Sequence, residues 1–127
     1  MKENRMSIAI NKPAHEVFEF IINPKNTHLW ISSIKEEIVD EYPPKIGTQY
    51  KNHWNTPVRD FYKVSEFEQD KLFTLSDMDE NYHVRYTYTT IPGGTEVEYF
   101  EWMTNGDLSN PYTQEVLEKL KSVMENL

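Results

Sequence analysis

The chain has 127 residues, no cysteine, and 21 acidic against 13 basic side chains, giving a formal net charge of -8. That length fits one domain, residues 1–127, able to bury roughly two thirds of the surface its unfolded form would expose. The missing cysteines exclude a disulfide framework and thiolate chemistry, while the acidic balance argues against nonspecific nucleic-acid binding and against an anionic membrane surface. No stretch approaches the ~20 apolar residues of a membrane span or the apolar run of a signal peptide, so no membrane insertion is expected and the cytoplasm is the default location.

The first strand runs into Ile8-Ala9-Ile10. Pro13 suits a first helical position, and Ala14, Val17, Phe18 and Ile21 recur at the spacing of one helical face. Pro24 disfavours helical geometry in the residue before it, which ends this helix at Asn23. A second short helix is expected over residues 25–32, with Leu29 and Trp30 turned inward. Residues 33–40 read as a strand that stops before Tyr42-Pro43-Pro44, and Glu36-Glu37 and Asp40-Glu41 as a solvated strand edge. Gly47 opens a strand to about Asn55, and Thr56-Pro57 marks a turn. Further strands follow over 58–68, 72–78, 82–91 and 95–104, with Pro92-Gly93-Gly94 the strongest turn signal. The succession of tight connections implies an antiparallel meander. The last element is a helix over 111–127, capped by Asn110 and started by Pro111, with an apolar stripe of Val116, Leu117, Leu120, Val123, Met124 and Leu127, and with Glu115 and Lys119 paired at i, i+4.

Strand alternation sorts the sheet into faces. In 82–91 one face carries Tyr82, Val84, Tyr86, Tyr88 and Thr90. If Ile91 to Gly94 form the hairpin loop, Tyr86 pairs with Tyr99 and Val84 with Glu101, while Arg85 and Phe100, and His83 and Trp102, pair on the outer face. The same rule turns Tyr50, Asn52 and Trp54 inward, and Val58, Asp60, Tyr62 and Val64 with them. The inner wall then combines Trp54, Tyr62, Tyr82, Tyr86, Tyr88 and Tyr99 with two carboxylates, Asp60 and Glu101. A broad apolar wall with a few convergent polar groups is what a small-molecule pocket needs. Six tyrosine and tryptophan polar tips on one concave face are hard to satisfy in a dry core.

The order strand, Pro13-Ala14, Val17-Phe18-x-Phe20-Ile21, Asn23-Pro24, Leu29-Trp30 and later Gly47-Thr48 resembles the polyketide cyclase/dehydrase-like branch of the START-like (SRPBCC) superfamily. The resemblance implies an α+β helix-grip fold, shared with the major birch pollen allergen. In that fold a curved antiparallel sheet of six to seven strands surrounds a long C-terminal helix, with two short helices after the first strand. The closing helix is often longer in that family, so a shorter one leaves one end of the cavity more open.

Chemistry beyond that cavity is sparse in the sequence. His15, His28, His53 and His83 show no metal-ligand spacing, and Asp77, Asp79 and Asn81 fail as a calcium loop because Tyr82 stands where glycine is required. No phosphate-binding loop or nucleophile elbow is present, and neither metal nor cofactor is expected. The preferred reading is a monomer or homodimer that binds a small hydrophobic or aromatic molecule, lipid- or polyketide-like, through Trp30, Asn52, Trp54, Tyr62, Tyr82, Tyr86, Tyr88, Tyr99 and Glu101. The alternative is a cyclase/dehydrase-type enzyme with Glu101 or Asp60 as base and Tyr86 or Tyr99 polarising a carbonyl. A third reading, from the superfamily's chaperone-ATPase activators, is a protein-interaction module.

Overall fold

The computed structural model describes residues 1–54 and 59–127, so the expected turn at Thr56-Pro57, the end of a strand at Asn55 and the inward Val58 lie outside the described residues. Seven strands form one antiparallel sheet: β1 (Glu3–Ile10), β2 (Ile34–Val39), β3 (Gln49–Trp54), β4 (Arg59–Glu68), β5 (Leu72–Asp77), β6 (Tyr82–Ile91) and β7 (Gly94–Met103). The order across the sheet is β1-β7-β6-β5-β4-β3-β2, a meander whose first strand closes against its last. Between β1 and β2 lie α1 (Ala14–Ile22), a 3-10 turn (Pro24–Asn26) and α2 (Thr27–Trp30). The chain ends in α3 (Gln114–Glu125).

The β6–β7 register is the expected one, with Tyr86 opposite Tyr99 and Arg85 opposite Phe100. Only the loop is tighter, because Ile91 and Gly94 pair and leave Pro92 and Gly93 to turn the chain. Gly93 sits at φ +84°, where side chains are disfavoured. Gly94 is required for another reason: a Cβ there would collide with the backbone carbonyl of Ile10.

Two bulges reverse the alternation. A register shift between Val64 and Glu66 sends Glu66 to the convex face, and Phe67 inward against Phe18 at 5.5 Å and Phe73 at 6.3 Å. On the convex face Arg85 grips Glu66 (2.6 and 3.0 Å) and lies over Trp102, which holds the Glu66 carboxyl below its ordinary range. The second shift, between Ile34 and Glu36, places Glu37 opposite inward-facing Asn52. Glu37 is therefore not part of a solvated edge, and Ile38 takes the outer face, half exposed.

The helices differ from expectation at their ends. Pro13 is the N-cap residue of α1 rather than its first helical residue, with extended backbone geometry. In α2, Thr27 and Trp30 share the inward side at i, i+3, which turns Leu29 about 100° away and leaves it 40% exposed. The closing helix starts at Gln114 instead of Pro111, with Thr113 as N-cap, and its 12 residues span about 18 Å. The cause is tertiary. The Tyr112 N–H donates to Glu101 and its carbonyl accepts from Asn4, so the segment before α3 is drawn out toward β1 and β7 and cannot enter helical bonding. Leu117, Leu120 and Met124 of α3 are buried, whereas Leu127 is exposed. The i, i+4 ion pair seen on this helix is Lys121–Glu125 at 2.8 Å.

Candidate functional site

The concave face of the sheet, α2 and the extended segment leading into α3 enclose a cavity of about 730 Å³. That volume suits a ligand of drug size. Three polar stations interrupt its aromatic wall.

The first station is Glu101, 1% exposed. Its Oε1 accepts from Asn4 Nδ2 (3.0 Å) and the Tyr112 N–H (3.0 Å), and its Oε2 from the hydroxyls of Tyr82 (2.6 Å) and Tyr99 (2.8 Å). Four donors occupy the lone-pair sites a carboxylate has. Glu101 thus ties β1, β6, β7 and the α3 approach together, and has no free lone pair with which to take a substrate proton. Burial pushes the Tyr82 and Tyr99 hydroxyls well above the ordinary tyrosine range, and Tyr112 up to about 12.

At the second station Asp60 Oδ2 accepts from Trp54 Nε1 at 2.6 Å and from the Tyr62 hydroxyl at 3.4 Å. All three side chains line the cavity, as strand alternation predicts for Trp54 on β3 and for Asp60 and Tyr62 on β4. Tyr62 leans on Tyr82 with ring centres 6.2 Å apart.

The third station is the least satisfied. Glu37 accepts from the Thr27 hydroxyl at 2.6 Å, and burial pushes its carboxyl up to about 7. Desolvation opposes the charged form, and the Thr27 bond offsets only part of that. Asn52, opposite Glu37 across the β2–β3 pair, has its Oδ1 buried without a hydrogen-bond partner, and so has Trp30 its Nε1 in the same cavity. All three residues line the cavity, and the Trp30 ring meets Tyr86 edge-on at 6.2 Å. Buried polar atoms without partners are rare in native folds and call for an explanation.

The fold thus brings Trp30, Asn52, Trp54, Asp60, Tyr62, Tyr82, Tyr86, Tyr99 and Glu101 to one cavity. It does not bring Tyr88 there: by that residue β6 has passed beneath α1, and the Tyr88 ring packs on Phe18 at 5.1 Å. Sequence reasoning missed Glu37, Thr27 and Tyr112. Apolar Ile34 and Ile38 suggest even positions inward on β2, and only the bulge reverses this. Tyr112 falls within the helix expected over 111–127 but precedes α3. Histidines isolated in sequence also gain company in space. His15 Nδ1 lies 3.0 Å from Asp70, which raises its pKa, and half-buried Glu19 completes a group of three away from the cavity.

No protein-family model matches the chain, and no curated protein matches it in sequence. Solved structures do. The chain is similar to Aha1 of Colwellia psychrerythraea, solved as a dimer, with TM-score 0.74, 13% identity and coverage of 98% of this chain and 97% of that one. It is similar to Ara h 8.0201, with TM-score 0.68, 14% identity and 98% of both chains covered. A polyketide cyclase-like protein of Corynebacterium glutamicum gives TM-score 0.61 and 22% identity over 80% of this chain and 65% of that one. The architecture is therefore the helix-grip fold that the sequence resemblance implied. At these identities the likeness is one of fold.

Proposed function

We propose that this protein, acting as one domain, binds a small, largely apolar molecule of lipid-, aromatic- or polyketide-like character in the cavity between sheet and α3. The observation that carries this reading is a cavity of about 730 Å³ in which Trp30 Nε1 and Asn52 Oδ1 are left without partners. Leaving such atoms unpaired is costly, and a ligand in the cavity would supply partners for both; the Tyr88 hydroxyl, also buried without a partner, lies outside the cavity. The names of the structural neighbours span an allergen, a cyclase-like protein and Aha1, and do not choose among roles.

Binding is favoured over cyclase-type catalysis because Glu101 is fully engaged by four donors and holds the fold together. One observation favours the enzymatic reading, namely a cavity carboxyl at Glu37 pushed up to about 7, suited to proton transfer near neutral pH. Native mass spectrometry of the purified protein, with thermal melting and tryptophan fluorescence on adding the released compounds, tests the binding reading. A bound compound should raise the Tm and quench Trp30 and Trp54. Tyr86→Phe should weaken a polar ligand by about 0.5–1.5 kcal/mol if its hydroxyl makes one bond. Absence of any binder, with Tyr86→Phe silent, removes the reading; turnover of a captured polyketone lost in Glu37→Gln replaces it with the enzymatic one. A cytoplasmic location fits the cysteine-free sequence and is part of the same proposal; among the described residues no helix is long and apolar enough to cross a membrane.

A further inference from the structure

The cavity's charge is one-sided. Three carboxyl groups, Glu37, Asp60 and Glu101, line it, and among the described residues its wall contains no lysine, arginine or histidine. Glu101 and Asp60 are met by donors from their own neighbours, as shown above. Glu37 is met by Thr27, and the acceptor across the β2–β3 pair, Asn52 Oδ1, has no donor although Asn52 is 93% buried. Thr27 and Trp30 share the buried side of α2, and Trp30 lines the same cavity as this pair of acceptors. Two inward acceptors in a cavity lined by carboxyl groups and, among the described residues, by no cation are complementary to a ligand that brings N–H donors and positive charge. A carboxylate-bearing ligand would meet like charge and, among the described residues, no cation. Resting on the binding reading above, we propose that the ligand is a hydrophobic amine bound in its protonated form, its ammonium seated between the Glu37 carboxyl and Asn52 Oδ1. Trp30 Nε1–H is then left for an oxygen on the same ligand.

Three probes with one apolar body separate the possibilities: 4-phenylbutylamine, 4-phenylbutanol and 4-phenylbutanoic acid, titrated calorimetrically into the full chain. The amine should bind roughly tenfold or more tighter than the alcohol, and the acid most weakly. Glu37→Gln should reduce amine affinity by roughly the same factor and alcohol affinity by much less, and circular dichroism with a cooperative thermal melt shows that the variant is folded. Amine affinity should rise from pH 6 to pH 8, because an alkylamine stays protonated there while Glu37 loses its proton. The groups facing Glu37 are the Thr27 hydroxyl from α2, Tyr50 from β3, Tyr86 from β6 and Tyr112 ahead of α3, with Asp60 and Glu101 further along the wall; the three tyrosines are held above the ordinary range and stay neutral. Glu37→Gln should flatten the profile. Alcohol or acid binding as tightly as the amine overturns the amine assignment and leaves the cavity reading standing. Failure of all three probes at millimolar concentration overturns both.

Discussion

Replacing Glu37 with glutamine should stabilise the protein at alkaline pH and not in acid. The carboxyl moves from 4.5 in the unfolded chain to about 7 in the folded one. The folded state therefore holds this proton more tightly. Stability from Glu37 is fully present below pH 4.5, falls as pH rises, and is gone above 7, where a cavity carboxylate opposes folding. The separation of the two values corresponds to about 3 kcal/mol at its limit, at 1.36 kcal/mol per unit, and to about 2.5 kcal/mol between pH 5 and pH 8. Glutamine keeps the shape and can still accept from Thr27, but it cannot ionise. Urea unfolding of both proteins at pH 5 and pH 8 gives the variant's stability change at each pH, and the difference between the two isolates this one group. It should favour the variant at pH 8 by about 2 kcal/mol more than at pH 5. Equal changes at both values, within about 0.5 kcal/mol, would show that water reaches the carboxyl freely and that its desolvation has been overstated.

Glu101→Gln should cost about 2–4 kcal/mol in chemical unfolding, because the Tyr82 and Tyr99 hydroxyls lose their carboxylate acceptor and must turn to accept from an amide in a buried site; a change under 0.5 kcal/mol would contradict its role as the anchor of four segments. Glu101→Leu should in addition raise hydrogen exchange at the Tyr112 amide, which then loses its acceptor. Leu117→Ala, at a fully buried position on α3, should destabilise by about 2–5 kcal/mol, and a smaller loss would mean that α3 packs loosely on the sheet. Gly94→Ala should cost roughly 1–3 kcal/mol through collision with the Ile10 carbonyl, whereas Gly106→Ala, in open space, is strained only by its φ of +81° and should be milder; the reverse ranking in thermal melts would refute the close approach of β1 to β7.

Local rules of the chain determined a good deal here. Period-two patterning over Tyr82–Ile91 and Gly94–Met103, with glycines between, fixes both register and face, since a slip of one residue would exchange Tyr86 and Tyr99 for Arg85 and Phe100. The apolar spacing from Ala14 to Ile21 and from Val116 to Met124 fixes two helices in the same way. What only the tertiary structure decided depends on contacts far apart in sequence. A bulge has no signature in residue type at Lys35 or Ser65, yet each reverses every side chain beyond it, which is how Glu37 enters the cavity and Phe67 enters the core. Asn110-Pro111 signals a helix start that the fold does not use, because Glu101 and Asn4 take the Tyr112 backbone, at sequence separations of 11 and 108 residues, and α3 begins only at Gln114. Tyr88 obeys its alternation and still misses the cavity, because alternation assigns a face and says nothing of which helix covers it along the strand.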